Sequence, residues 1–170
     1  MRAFVDGKTF FGAVLLGLQA VAVEVRGSDG SLRTVRVRLA DFADAGANDL
    51  LAVNQFTVAG ARERRADVVL FVNGLPLVVM ELKRPGDANA TLRGAFNQIQ
   101  TYIRQVPELF MWNQVCVISD GISARAGSFT AGWEHYAPWK TVDGEGVAPG
   151  SWPQIEVLVA GMLAPGVLLD

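Results

Sequence analysis

Cysteine and histidine are almost absent: Cys116 and His135 are the single examples of each. An internal disulfide is therefore excluded, and so is a structural zinc site built from a Cys/His cluster. Cys116, in VCVIS, reads as a core residue and fits a reducing cytosol. His135 has no Ser or Cys nucleophile placed to use it and is given no catalytic role. No apolar run reaches the length of a membrane span, because Gly and Gln interrupt the one near residue 15. No small-residue cleavage site follows the N-terminal apolar stretch, so the expectation is a cytoplasmic chain with no signal peptide and no membrane partner. A GxxxxGK[ST] phosphate loop is missing, so ATP binding of that kind is not expected. Internal repeats and low-complexity stretches are missing too. The net charge is only −2, with pI near 5.4, which excludes DNA binding driven by bulk positive charge.

What is present is a globular composition. The 170 residues are 51% hydrophobic and 19% charged, which suits one domain, or one domain with an appendage, around a real core. The most informative stretch is DVVLFVNGLPLVVMELK, from Asp67 to Lys83. Two nearly unbroken apolar runs, Val68 to Phe71 and Leu75 to Met80, flank Asn73-Gly74, a turn signal. Runs of this kind are strands buried on both faces, as in the middle of an α/β sheet.

The charges matter by position. Glu81 and Lys83 are two apart, so on a strand they point to the same face. If the hairpin folds about Gly74, Asp67 falls within a residue of being opposite Glu81, where Cβ atoms sit roughly 5 Å apart. Two carboxylates that close repel unless a cation lies between them. Oxygen ligands with open positions suit Mg²⁺ or Mn²⁺, which can lower the pKa of a bound water and hold a phosphate oxygen. Lys83 could then orient the water or offset charge building on the phosphate. Against this stands a salt bridge at the solvated end of a hairpin, the commoner meaning of a bare D…ExK pattern. Basic residues gather at the same end: Arg62, Arg64 and Arg65 before Asp67, and Lys83-Arg84 after Glu81. They make either a solvated loop or a rim facing phosphate.

Along the rest of the chain, residues 8–18 suit a short helix weakened by Gly12 and Gly17. Residues 20–26 and 32–42 alternate around a turn at 27–30, giving a hairpin with Val35, Val37 and Leu39 on one face and Arg36 and Arg38 on a wet one. Residues 43–49 read as a loop, 50–58 as a strand and 59–66 as a basic loop. After Arg84-Pro85-Gly86, a helix capped by Asp87, Asn89 or Thr91 runs to about Gln105. Its stripe of Leu92, Phe96, Ile99 and Ile103 packs on the sheet. Gln98 and Tyr102 are i,i+4 neighbours on one flank of that stripe, placed to reach the carboxylates or simply to cover the helix edge. Residues 114–119 form another strand, Asp120-Gly121 a turn, and 122–126 pair back. Trp133, His135, Tyr136 and Trp139 form a stacking surface or, more plainly, cover the end of the sheet. Pro153 opens a last helix with Ile155, Leu158, Val159, Met162 and Leu163 apolar, and the apolar VLLD end suits a continuation, a docking tail or a truncation.

Asp67, Glu81-Leu82-Lys83 and Gln98-x-x-x-Tyr102, in that order, resemble the PD-(D/E)xK nuclease pattern with its helical QxxxY addition. Several further blocks, AVNQFTV at 52–58, RADVVLFVNGLPLVVMELKRP at 65–85, ATLRGAFNQIQTY at 90–102, ISDGISARAG and WEHYAPWK at 133–140, resemble the nuclease domain of the restriction (R) subunit of type I restriction–modification enzymes. The resemblance implies an α/β, restriction-endonuclease-like core: a central mixed β-sheet flanked by helices. It implies one nuclease domain over 1–170, with its core at about 20–140 and a helical extension at about 153–170, as a piece of a longer polypeptide with an ATP-driven motor. By the same resemblance, Asp67, Glu81 and the Leu82 carbonyl would bind Mg²⁺, for which Mn²⁺ can substitute, and Lys83 would be the catalytic lysine. Gln98, Tyr102 and Arg84 would be accessory to the DNA backbone. ATP would serve only the motor. The implied partners are double-stranded DNA and the methyltransferase (M) and specificity (S) subunits. Relatives carry a further acid on an upstream helix, for which this chain offers Asp6 and, in a predicted strand, Glu24. Two alternatives stand beside this: a catalytically silent docking domain of the same fold, and a stand-alone PD-(D/E)xK repair or junction nuclease.

Overall fold

The computed structural model describes residues 20–60, 62–85 and 91–170. The expected helix at 8–18 and the acid Asp6 lie outside the described residues. The chain divides into two compact units, 1–48 and 49–170.

In the first unit, β1 (Ala20–Arg26) and β2 (Leu32–Arg38) form the expected antiparallel hairpin. Gly30 turns it with φ 80°, and Asp29 accepts from the Ser31 backbone at 3.0 Å. The apolar face is less covered than alternation predicts: Val35 is 43% exposed. A 3-10 turn at Ala45–Ala47 interrupts the loop that follows.

The second unit is built on a five-stranded mixed sheet, ordered β3 (Leu50–Val58), β4 (Arg64–Val72), β5 (Leu75–Leu82), β6 (Val115–Ser119), β7 (Ala124–Gly127). Only β5 and β6 are parallel. They are joined through α1 (Leu92–Gln105), as a parallel pair requires a crossover. The turn between β4 and β5 is Asn73-Gly74, with φ of 50° and 82°. Two successive left-handed residues twist the chain as the strands need, and Asn and Gly adopt that conformation most cheaply. β4 begins at Arg64, earlier than the apolar run suggests, because Arg64 and Arg65 pair with Val58 and Thr57 by backbone alone.

Helix α1 starts where Thr91 accepts the Gly94 N–H at 3.0 Å, the capping arrangement expected of threonine. Phe96 and Ile99 are buried with Ala95 and Tyr102, and Leu92 and Ile103 pack beside them. Trp133 and Tyr136 close this side, edge-on to Phe96 at 5.7 and 5.1 Å. Arg93 and Arg125 each lie 5.1 Å from the Trp133 ring centre. Cys116 is fully buried, and burial pushes its thiol up to about 12. The opposite face of the sheet, Val78, Met80, Val117 and Ala126, is covered by Leu158 and Leu163. The C-terminal helix stops sooner than its apolar pattern suggests, as α2 (Gln154–Ala160) and a short α3 (Pro165–Leu168). A Cβ at Gly161 would lie 2.1 Å from the Thr141 carbonyl, so the chain there runs too close for a side chain.

One glycine ties this fold to the end of β5. Gly121, with φ 93°, lies in the β6–β7 turn, and a Cβ there would stand 2.3 Å from Pro85 Cγ. Pro85 is two residues past Lys83, so this contact fixes how the chain leaves the strand. Gly121→Ala should cost about 2–4 kcal/mol, from the left-handed backbone and the overlap with Pro85, measured by urea denaturation.

Candidate active site at the end of the central strands

The pairing of β4 with β5 ends at Val69↔Val79 and Val68↔Met80, and the next residues along the two strands are Asp67 and Glu81. Glu81 is 1% exposed. Its Oε1 accepts from Lys83 Nζ at 2.6 Å, and Lys83 Nζ also donates to Gln98 Oε1 at 2.6 Å. Gln98 Nε2 donates to the Tyr102 hydroxyl at 2.6 Å. That hydroxyl has a single proton, which it shares between Glu81 Oε2 at 3.0 Å and the Arg65 carbonyl at 2.9 Å. Asp67 Oδ2 accepts the Leu82 backbone N–H at 2.8 Å, and Oδ1 accepts from Gln55 Nε2 at 3.2 Å. The i,i+2 spacing in β5 and the i,i+4 spacing in α1 thus bring Glu81, Lys83, Gln98 and Tyr102 into one hydrogen-bonded chain. Asp67 stands at its side. Arg84 is exposed and outside that chain.

Burial raises the Glu81 carboxyl above its ordinary value of 4.5. The Lys83 hydrogen bond pulls it down, and the nearby Asp67 charge pushes it up again. Burial likewise raises the Tyr102 phenol, so it stays protonated and available as a donor. Among the described residues, no group of three or more His, Cys, Asp and Glu side chains converges. Glu24 lies in β1 of the first unit. Among the described residues of the second unit, the donors at this place are two carboxylates and backbone carbonyls, all hard oxygens, which fit Mg²⁺ or Mn²⁺ and not a soft metal.

Beside the chain lies a cleft of about 770 Å³, lined by Thr57, Glu63, Arg64, Arg65, Gly94, Asn97, Gln98, Thr101 and Tyr102. Arg64 is tied to Gln105. Arg65 is exposed. Part of the basic loop thus forms one wall and the polar flank of α1 the other.

Residue spacing does not single out Gln55. Its one trace in the sequence is a polar Asn54-Gln55 pair inside an otherwise apolar strand. It has φ 52°, a left-handed conformation that costs about 1–2 kcal/mol for a residue with a Cβ. The rungs on either side, Asn54↔Val68 and Phe56↔Ala66, are formed. Ala66 and Val69 both belong to the cluster under α1 although three residues apart. Side-chain alternation therefore breaks between them, at the level of Asp67.

The family model described as the N terminus of the type I restriction enzyme R protein matches residues 16–135. The chain belongs to this family. Its five-stranded mixed sheet with flanking helices is compatible with the restriction-endonuclease-like fold expected of such R-protein N termini. The chain is 42% identical over 146 residues to the type I restriction enzyme HindI endonuclease subunit of Haemophilus influenzae, which covers 84% of this chain and 14% of that protein. It is 34% identical over 143 residues to the putative type I restriction enzyme MjaIXP endonuclease subunit of Methanocaldococcus jannaschii, covering 82% of this chain and 13% of that protein. The type I restriction enzyme EcoprrI endonuclease subunit of Escherichia coli is 39% identical over 97 residues, 55% of this chain and 30% of that protein. The chain thus spans about a seventh of the first two relatives. Among the described residues, no helix is long and apolar enough to cross a membrane.

The raised Glu81 carboxyl sets a pH dependence. The folded state binds that proton more tightly than the unfolded chain, so stability from this group is fully present below the ordinary glutamate value of 4.5. It is lost as pH rises through the raised folded value. Without metal, Glu81→Gln should therefore melt higher than wild type at pH 7, and the gap should close on going below pH 4.5. Calorimetric melting of both proteins across that range checks it.

Proposed function

We propose that the chain is the nuclease part of a type I restriction R subunit, hydrolysing phosphodiester bonds of double-stranded DNA with a divalent cation, Mg²⁺ or Mn²⁺. The observation that carries this reading is the convergence of Glu81, Lys83, Gln98 and Tyr102 in one hydrogen-bonded chain beside Asp67. The similarity to endonuclease subunits of type I restriction enzymes supports it.

In this reading Asp67, Glu81 and the Leu82 carbonyl hold the cation. When bound, the cation supplies positive charge that draws in a phosphate oxygen and acidifies water. The protein's own groups do the rest. Lys83 has three donors, of which two go to Glu81 and Gln98. The third points charge at the phosphate or orients the attacking water. Gln98 fixes Lys83 and is fixed by Tyr102, so the lysine does not wander. Arg65, with Asn97 and Thr101, lines the cleft where a DNA backbone passes beside the site, and Arg84 meets phosphate at the strand end.

In this proposal the residues form a single nuclease domain of a longer polypeptide whose ATP-driven motor moves the DNA. M and S subunits supply sequence recognition, and the enzyme works in the cytoplasm. ATP acts only in the motor region. A second reading, a silent docking domain of the same fold, is favoured by one observation. Each oxygen of Asp67 and Glu81 already has a protein hydrogen-bond partner.

Nicking of supercoiled plasmid in Mg²⁺ or Mn²⁺ separates the two. Wild type should nick, and Lys83→Ala should lose about 10²–10³ in rate while melting normally. Equal rates for the two proteins would sink the nuclease assignment. An inert wild type would favour the docking domain.

A further inference from the structure

We infer that Gln55 is a positioning residue for the cation site: its side-chain amide holds the Asp67 carboxylate ready for the ion, and its left-handed backbone is retained to aim that amide. This rests on the reading of Asp67 and Glu81 as cation ligands.

Three observations meet at this residue. The first is conformational. Gln55 has φ 52° in the interior of β3, with formed rungs on both sides at Asn54↔Val68 and Phe56↔Ala66. Glycine or asparagine adopts that backbone at lower cost. A strained residue persists where its surroundings over-determine it, and such residues cluster at sites of function. The second is contact. Gln55 Nε2 donates to Asp67 Oδ1 at 3.2 Å, while Oδ2 takes the Leu82 N–H at 2.8 Å. Both oxygens are therefore oriented before an ion arrives, and each keeps a lone pair for one.

The third is charge. Both donors to Asp67 are neutral, an amide side chain and a backbone N–H, whereas the ammonium of Lys83 goes to Glu81. A cationic partner would fix the carboxylate equally well but would compete with a divalent ion for its charge. A neutral amide fixes the rotamer and leaves the full negative charge to the ion. Partners of this kind behind a metal ligand typically set affinity by 10–100-fold.

The two properties of Gln55 can be pulled apart by substitution in the 170-residue chain. Gln55→Gly removes the amide and relieves the backbone. Gln55→Met removes the amide and keeps the side-chain length. The probe is Mn²⁺ alone, titrated calorimetrically at pH 7, with melting temperatures measured without metal. Both variants should bind Mn²⁺ about tenfold or more weakly than wild type. Gln55→Gly should nevertheless melt at or above the wild-type temperature, by up to about 5 °C. Wild-type affinity in both variants would overturn the inference alone. So would a drop in melting temperature for Gln55→Gly in step with its loss of Mn²⁺, because that marks a residue serving only the fold. A wild type that binds no Mn²⁺ would overturn the cation reading and this inference together.

Discussion

Asp67 and Glu81 each follow the last paired residues of two neighbouring central strands, close enough for their charges to interact, with Glu81 almost wholly removed from water. Two carboxylates so placed repel, and burial adds to the cost of charging the second. The surrounding structure is arranged around that conflict. Lys83 offsets Glu81 from just past the end of the same strand. Asp67 is turned to the β5 backbone and to Gln55. Tyr102, kept protonated by burial, donates where a second base would only repel. The arrangement depends on the Asn73-Gly74 turn together with the one-residue register shift between Leu70 and Phe71, because the two set which residues of β5 the far end of β4 meets.

The same logic explains why the site sits where it does. β5 is paired on both edges by β4 and β6 and packed on one face by α1 and on the other by Leu158 and Leu163, so its apolar middle is enclosed and only its last residues are free to carry charge. The crossover to β6 must pass through a helix, and the side of α1 that seals the sheet with Phe96 and Ile99 brings Gln98 and Tyr102 to the charged end. A core-forming helix and a charge-bearing flank are two faces of one element. Positive charge is likewise local: the chain is net −2, yet Arg65 and Lys83 border the cleft and the site.

Much of this was legible from the residues. The central hairpin announces itself by two apolar runs around Asn73-Gly74, and α1 by a threonine cap and a stripe at helical spacing. Glu81-x-Lys83 and Gln98-x-x-x-Tyr102 follow from strand and helix periods alone. The features with no side-chain pattern are those set by backbone and by close packing. Arg64 and Arg65 join β4 through their peptide groups, which no side-chain pattern records. The helix after Pro153 ends at Gly161, where Thr141 and Trp139, from a segment well before it in the chain, leave no room for a Cβ. Gln55 looked like one polar residue in a strand, and only its left-handed backbone and the broken alternation at Asp67 reveal what it touches.

The measurement closest to the central claim is a crystal structure with Mn²⁺ diffused in, using the anomalous signal of the metal. The account predicts one or more peaks at the end of β4 and β5, with an oxygen of both Asp67 and Glu81 within about 2.3 Å. Well-ordered carboxylates with no metal peak between them, or metal only elsewhere on the surface, would contradict it.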